Sequence, residues 1–146
     1  MSEVTEFLTP EDEVAVVAAI REAEQNTSGE IRVHLEHQAD IPCMERAREV
    51  FCELGMHQTE LHNGVLFYVG VHDHTFVILG DQGIHEKVEA DFWECTRDIV
   101  IENFKKGAFK DGLVAGILRA GERLKTHFPF DQKGDNNELS DEISKG

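Results

Sequence analysis

Apolar and polar residues alternate strictly along Glu30-Ile31-Arg32-Val33-His34-Leu35-Glu36, the pattern of a strand buried on one face. That spacing sends Glu30, Arg32, His34 and Glu36 to the opposite face. Val65-Leu66-Phe67-Tyr68-Val69-Gly70-Val71 is continuously apolar, as a central strand covered on both faces would be. His72-Asp73-His74 reads as a tight turn into Thr75-Phe76-Val77-Ile78-Leu79, which makes a hairpin.

Helical spacing fills the intervals. Thr9 is placed to cap a helix that opens with Pro10 and an acidic first turn, and Val14, Val17, Ala18, Ile20 and Ala23 carry it to about Gln25. From Pro42 a second helix carries a stripe of Met44, Ala47, Phe51 and Leu54, and Gly55 ends it. After the turn Gly80-Asp81-Gln82-Gly83 the pattern predicts one long helix with Val88, Phe92, Cys95 and Ile99 on its inner side, ending at Gly107. A last helix uses Leu113, Ile117, Ala120 and Leu124 and stops before Pro129.

The order α-β-α-β-β-α-α, with a short edge strand the pattern does not place, forces the first two strands parallel through a helical crossover. The expected fold is therefore an α/β class, three-layer α/β/α sandwich with a small mixed sheet of about four strands. Residues 1–130 form the expected domain, and 131–146, polar, acidic and aperiodic, an acidic C-terminal tail. Chain direction sorts the loops into two poles. One gathers Asn26 to Glu30, Met56 to Asn63, Gly80 to Glu86 and the root of the tail; the other gathers Glu36 to Asp40, His72 to His74 and Lys105 to Phe109.

Charge narrows the partners. The 146 residues hold 14 Lys plus Arg against 29 Asp plus Glu, a net charge of -15 with neutral histidines. Such a surface repels phosphate backbones and anionic headgroups, so neither nucleic acid nor a membrane is an expected partner. Cations are, divalent metals among them. Cys43, Cys52 and Cys95 are odd in number and form no C-x-x-C pair, against both a disulfide framework and a structural zinc site. Cys52 and Cys95 are expected on apolar helical faces, as small hydrophobes. No basic, apolar leader is read at Met1 to Phe7, and the expected compartment is the cytoplasm.

Candidate chemistry concentrates in the acidic loops. At the first pole Glu30, Glu60, Asp81 and Glu86 can approach one another, with Asn63 as a neutral oxygen donor, the ligand type that Ca2+ and Mg2+ favour. The set expected to hold one or two such ions is Glu30, Asn63, Asp81 and Asp91, with Glu138 and Asp141 arriving from the tail. The second pole offers Glu36, His37, Asp40, His72, Asp73 and His74, a mixture that would suit a transition metal but also ordinary turn residues. Asp131 to Glu142 echoes an EF-hand loop, but Lys133 stands at a ligand position and Asn136 where glycine is needed. Phosphate-loop, nucleophile-elbow, zinc-protease and dinucleotide motifs are absent, and no basic aromatic platform for nucleic acid exists.

Asn26-Thr27-Ser28-Gly29-Glu30-Ile31-Arg32-Val33, Asn63-Gly64-Val65-Leu66 and Gly80-Asp81-Gln82-Gly83-Ile84, in that order, resemble the signature segments of TPM domains. The resemblance covers Phe7 to Pro129. It implies an α/β/α sandwich and, for some members, divalent-cation binding; a plant thylakoid-lumen relative implies acid phosphatase chemistry, and other members are accessory subunits of photosystems or receptors. Many members are exported or tethered, and this chain shows neither signal nor anchor. The reading is a Ca2+- or Mg2+-binding domain with a regulatory or interaction role and an unidentified protein partner. Metal-assisted phosphatase is the alternative, against which the scarcity of Lys and Arg at the first pole counts.

Overall fold

The structure is a computed structural model that describes residues 6–59, 61–89, 91–129 and 142–145. Glu60, Glu138 and Asp141 from the expected ligand loops lie outside the described residues. The elements run α1 (Pro10–Glu24), β1 (Glu30–Glu36), α2 (Cys43–Glu53), a 3-10 turn (Met56–Gln58), β2 (Gly64–Gly70), β3 (Thr75–Gly80), α3 (Gln82–His85), α4 (Glu94–Lys105), α5 (Phe109–His127) and β4 (Ser144–Lys145).

Local chemistry sets the ends. Thr9 closes a capping box on α1: Asp12 N–H donates to Thr9 Oγ1 at 3.1 Å, and Thr9 N–H to Asp12 Oδ2 at 3.2 Å. Two orphan donors of the helix start are thereby satisfied, and Pro10 at the first helical position has none. Gly55 supplies the left-handed residue after α2, with φ of 69°.

The four strands lie in the order β3-β2-β1-β4. β1 and β2 are parallel, with Glu30 opposite Gly64 and Glu36 opposite Gly70, and β3 is antiparallel to β2. The fourth strand, which the sequence pattern did not place, is β4: Ser144 and Lys145 pair parallel with His34 and Leu35. One side of the sheet is covered by α1, α4 and α5, which share a core including Val16, Ile20, Ile31, Phe67, Val100, Ile117 and Leu124. The other carries α2, whose Ala47, Val50 and Phe51 pack with Met56, Leu66 and Tyr68. Each fully buried aliphatic side chain contributes roughly 1.5–3 kcal/mol. The three-layer sandwich and mixed sheet are as expected, and α5 buries all four residues of its expected stripe.

Three helices differ from their sequence patterns. The long helix expected after Gly83 is two: α3 ends at His85, α4 begins at Glu94, and Val88 and Asp91 lie in the turns between. Phe92 packs edge-on to Trp93 at 4.6 Å and lies 5.7 Å from the ring of His127 on α5, contacts a continuous helix would not place. Starting later, α4 turns Thr96, Val100 and Phe104 inward. Cys95 is consequently exposed, as is Cys52 on α2. Met44 is exposed and Val50 takes the buried place in α2, while α1 exposes Val14 and buries Val16, Ala19, Ile20 and Ala23.

Close helix packing explains the glycines of α5. A Cβ on Gly121 would stand 2.7 Å from Ala23 Cβ on α1, and one on Gly116 would stand 2.5 Å from Val100 Cγ2 on α4. Glycine in a helix interior costs ~1 kcal/mol against alanine. Here it lets three helices meet on one side of a four-strand sheet.

Candidate functional site

The first pole forms where β1 and β2 begin and β3 ends. Glu30 N–H donates to Asn63 O at 3.3 Å, and Asp81 N–H to Gly64 O at 2.9 Å, so the starts of both parallel strands and the end of the hairpin are tied together. Ser28 N–H donates to Phe128 O at 2.9 Å, and Thr27 Oγ1 also donates to that carbonyl. The end of α5 thereby closes over the loop before β1. Asn63, buried, donates from Nδ2 to Ser28 Oγ at 3.4 Å.

Gly83 shows why a glycine-flanked turn is required here. Its N–H donates to His62 O at 2.9 Å. A Cβ on it would stand 2.3 Å from Leu61 O and 2.6 Å from His62 O. Only a residue without a side chain lets the backbone of 61–62 cross so near. The Asn63-Gly64 and Gly80-Asp81-Gln82-Gly83 segments are two halves of one clasp.

Asp81 sits in the middle of it. Its Oδ1 accepts from Gln82 N–H at 2.7 Å and caps α3. Its Oδ2 is buried with no hydrogen-bond partner among the described residues, and His62 Nδ1 stands 3.6 Å away. A buried carboxylate oxygen without a donor costs free energy unless a cation supplies the missing charge.

Of the expected ligands, Glu30, Asn63 and Asp81 adjoin through Gly64 and its strand pairings. Glu30 is 4 % exposed and Asn63 2 %, so both present little surface. Asp91 is not brought to them. It lines a separate cavity of about 490 Å3, with Lys87, Arg123 and His127. Among the described residues no three His, Cys, Asp or Glu side chains stand close enough to share one ion.

The second pole also assembles. Val71 N–H donates to Glu36 O and His72 N–H to His37 O, both at 2.9 Å, and the His37 and His72 rings lie 4.8 Å apart. His74, in the left-handed region with φ of 57°, packs its ring 4.8 Å from Phe109. These histidines serve a turn and an aromatic cluster.

Glu36 belongs to a network that sequence reading missed. Arg46 of α2 grips its carboxylate with Nε at 2.8 Å and Nη2 at 2.9 Å, Tyr68 Oη donates at 2.5 Å, and His34 Nε2 lies at 3.1 Å. His34 Nδ1 in turn meets Ser144 Oγ of β4 at 2.9 Å. Burial pushes the Glu36 carboxyl up, but the hydrogen bonds from Arg46, Tyr68 and His34 outweigh it and hold it at about 2. Burial lowers His34, with Glu36 opposing in part. Burial and the bond to Glu36 raise Tyr68. The His34–Glu36 end of that face is therefore a buried hydrogen-bonded network rather than a solvated one, and Arg46 also reaches the exposed Glu49 at 3.1 Å and Glu53 at 3.3 Å. One sequence signal pointed to it: two ionisable residues alternating on a strand whose neighbour carries a tyrosine in an apolar run.

Comparisons with known proteins show the family and the fold. The model of the TPM domain matches residues 2–123. The chain belongs to the TPM domain family. Among solved structures, this TPM domain is similar to the BA42 protein from the psychrophilic bacterium Bizionia argentinensis, at 54 % identity, TM-score 0.92 and full coverage of both chains. It shares its fold with the N-terminal domain of a P. gingivalis protein, at 18 % identity and TM-score 0.68, covering 84 % of this chain and 79 % of that one. It likewise shares the fold of the N-terminal domain of the cg2496 protein from Corynebacterium glutamicum, at 9 % identity and TM-score 0.63, covering 95 % and 80 %. No curated protein matches the chain. Among the described residues no helix is long and apolar enough to cross a membrane.

Proposed function

We propose that this TPM domain binds a divalent cation, Ca2+ or Mg2+, at the pole where β1 and β2 begin, and that the bound ion serves a regulatory or interaction role. The observation that carries the reading is Asp81 Oδ2, a buried carboxylate oxygen without a hydrogen-bond donor at the junction of three chain segments. The donors around it suit a hard cation. In this reading Asp81 would supply a carboxylate and, from the adjoining strand starts, Glu30 a second and Asn63 a neutral side-chain oxygen. The net charge of -15 raises the local concentration of any cation. Glu138 and Asp141 remain proposed additional ligands from outside the described residues.

An ion held there would tie the 61–63 loop, the start of β1 and the cap of α3, so its binding would stiffen one end of the sandwich. Calorimetric titration of chelator-stripped protein with CaCl2 and MgCl2 tests the reading. Saturable binding in the parent and its loss in Asp81→Asn support it; no heat above dilution in the parent overturns it. Melting temperature gives a second readout. An ion at 100-fold its dissociation constant stabilises by about 2.7 kcal/mol, a rise on the order of 5 °C or more for a domain of this size.

A further inference from the structure

The two edges of the sheet are finished differently. β4 covers the outer side of β1. β3 is the last strand at the other side and pairs with β2 alone among the described residues. Because Asp81 N–H donates to Gly64 O, the antiparallel alternation is fixed. Thr75, Val77 and Leu79 turn their backbone N–H and C=O toward β2, and Phe76, Ile78 and Gly80 turn theirs outward. Thr75-Phe76-Val77-Ile78-Leu79-Gly80 contains neither a charge nor a proline, the usual means by which an edge strand discourages another strand from joining it.

A cavity of about 290 Å3 runs along this edge. Its floor is β3. Met44 and Arg48 of α2 wall one side, and Trp93 and Arg97, at the start of α4, wall the other. Met44 is 41 % exposed, and both arginines are exposed. Arg48 makes no ion pair among the described residues, and Arg97 reaches Asp98 only at 4.0 Å. His85 also lines it, and Glu94 is the one acid lining it among the described residues. In a chain of net charge -15, the open edge is flanked by an exposed arginine from each helical layer, Arg48 without an ion pair among the described residues and Arg97 with a long one to Asp98.

We propose that this edge is a docking groove for an extended, acidic segment of a protein partner, added beside β3 as a fifth strand. Its backbone pairs with the outward groups of Phe76, Ile78 and Gly80, its apolar side chains settle toward Met44 and Trp93, and its carboxylates meet Arg48 and Arg97. Charge decides against a second copy of this chain as occupant. Pairing β3 with β3 would bring the arginines of two copies together, while the remaining surfaces, both strongly negative, repel. The groove uses none of the proposed cation ligands and does not depend on that reading.

The test is an NMR titration of the whole chain, in EDTA so that cation binding plays no part, with the blocked synthetic peptide EEVTVTVEE. Expected are saturable amide shifts along Phe76 to Gly80 and on the Trp93 indole. Arg48→Glu with Arg97→Glu, both at exposed positions, should weaken binding at least tenfold. Two altered peptides keep the test independent of how well that variant folds: lysine in place of glutamate, and alternate backbone N-methylation, each of which should bind at least tenfold more weakly. Absence of saturable shifts at millimolar peptide overturns the proposal. So does equal binding of the lysine or N-methylated peptide, or shifts confined to another surface. Peptide-free dimerisation that moves the β3 amides also overturns it, in favour of self-association.

Discussion

Tyr68 on the central strand donates its phenolic hydrogen to Glu36 on the parallel neighbour across 2.5 Å, beneath the cover of α2. The bond makes Glu36 the point at which β1, β2, α2 and, through His34, β4 are joined. It also predicts how the domain responds to acid. A carboxyl lowered from 4.5 to about 2 stabilises the fold fully above its unfolded value and loses that contribution as pH falls through the folded one. His34, lowered by burial from 6.5, acts in the same direction, because the unfolded chain takes up its proton first. Stability should begin to fall below about pH 6.5 and fall further between 4.5 and 2. The Glu36 share is on the order of 3 kcal/mol. Urea unfolding at stepped pH checks this. Glu36→Gln should be less stable at neutral pH and flatter across the lower window.

Gly83→Ala should be among the most damaging single-methyl additions in the chain. The new Cβ would meet two backbone carbonyls at 2.3 and 2.6 Å, and backbone cannot move aside as a side chain does. A loss of more than about 3 kcal/mol is expected. Gly107→Ala serves as the comparison: nothing lies within 4 Å of its Cβ, and only the positive φ of 77° resists, at about 1 kcal/mol. Chemical denaturation of both variants would reveal the difference. Equal losses would mean that the clasp is looser than its distances indicate.

Asp91 and Asp81 should behave differently toward Ca2+. Asp91 lines the cavity with Lys87 and Arg123, away from the clasp. Asp91→Asn should therefore keep the thermal shift that Asp81→Asn abolishes. Loss of the shift in both would return Asp91 to the ligand set.

Hydrolysis of p-nitrophenyl phosphate with Mg2+ or Ca2+ should not exceed the protein-free rate. Arg46 is committed to Glu36, and Arg123 stands over the Phe92 ring at 4.8 Å. Lys87 likewise lies over Phe128 at 4.5 Å. Those cations are thereby engaged by other groups, and phosphoryl transfer needs positive charge at the developing transition state. Turnover that disappears in Asp81→Ala would refute this.

Thiol titration of the native protein should count two fast sulfhydryls and one slow one. Cys52 and Cys95 are exposed and Cys43 is half-buried.

The sequence was most legible where one physical requirement acted alone. The stripe of α5 survived intact because each of its residues meets the same apolar side of the sheet. β2 was legible because a strand covered on both faces tolerates no polar residue. Elsewhere tertiary contacts overrode local pattern. Glu86 to Glu89, Asp91 and Phe92 are compatible with a helix, yet they lie outside one, and Phe92 packs against His127 of α5. The alternation in β1 suggested a wet face, but Arg46, ten residues and one element away from Glu36, completes a buried network there. β4 has only two residues, too few to show any period, and is recognised through Ser144 on His34 and Lys145 on Glu13. Of the candidate cation ligands, the three that adjoin were those placed by strand ends, while Asp91 depended on the helix that the fold divides.

Ser144 lies 110 residues downstream of the histidine it contacts. During synthesis from the N-terminus, at ~5–20 residues per second, the outer side of β1 is made long before the strand that covers it. From completion of β3 at Gly80, for ~3–13 s at that rate, the growing chain exposes a sheet edge at each side, one of them only until β4 arrives. The nascent domain is most open to mispairing in that interval, and a chaperone that shields β1 would protect it then.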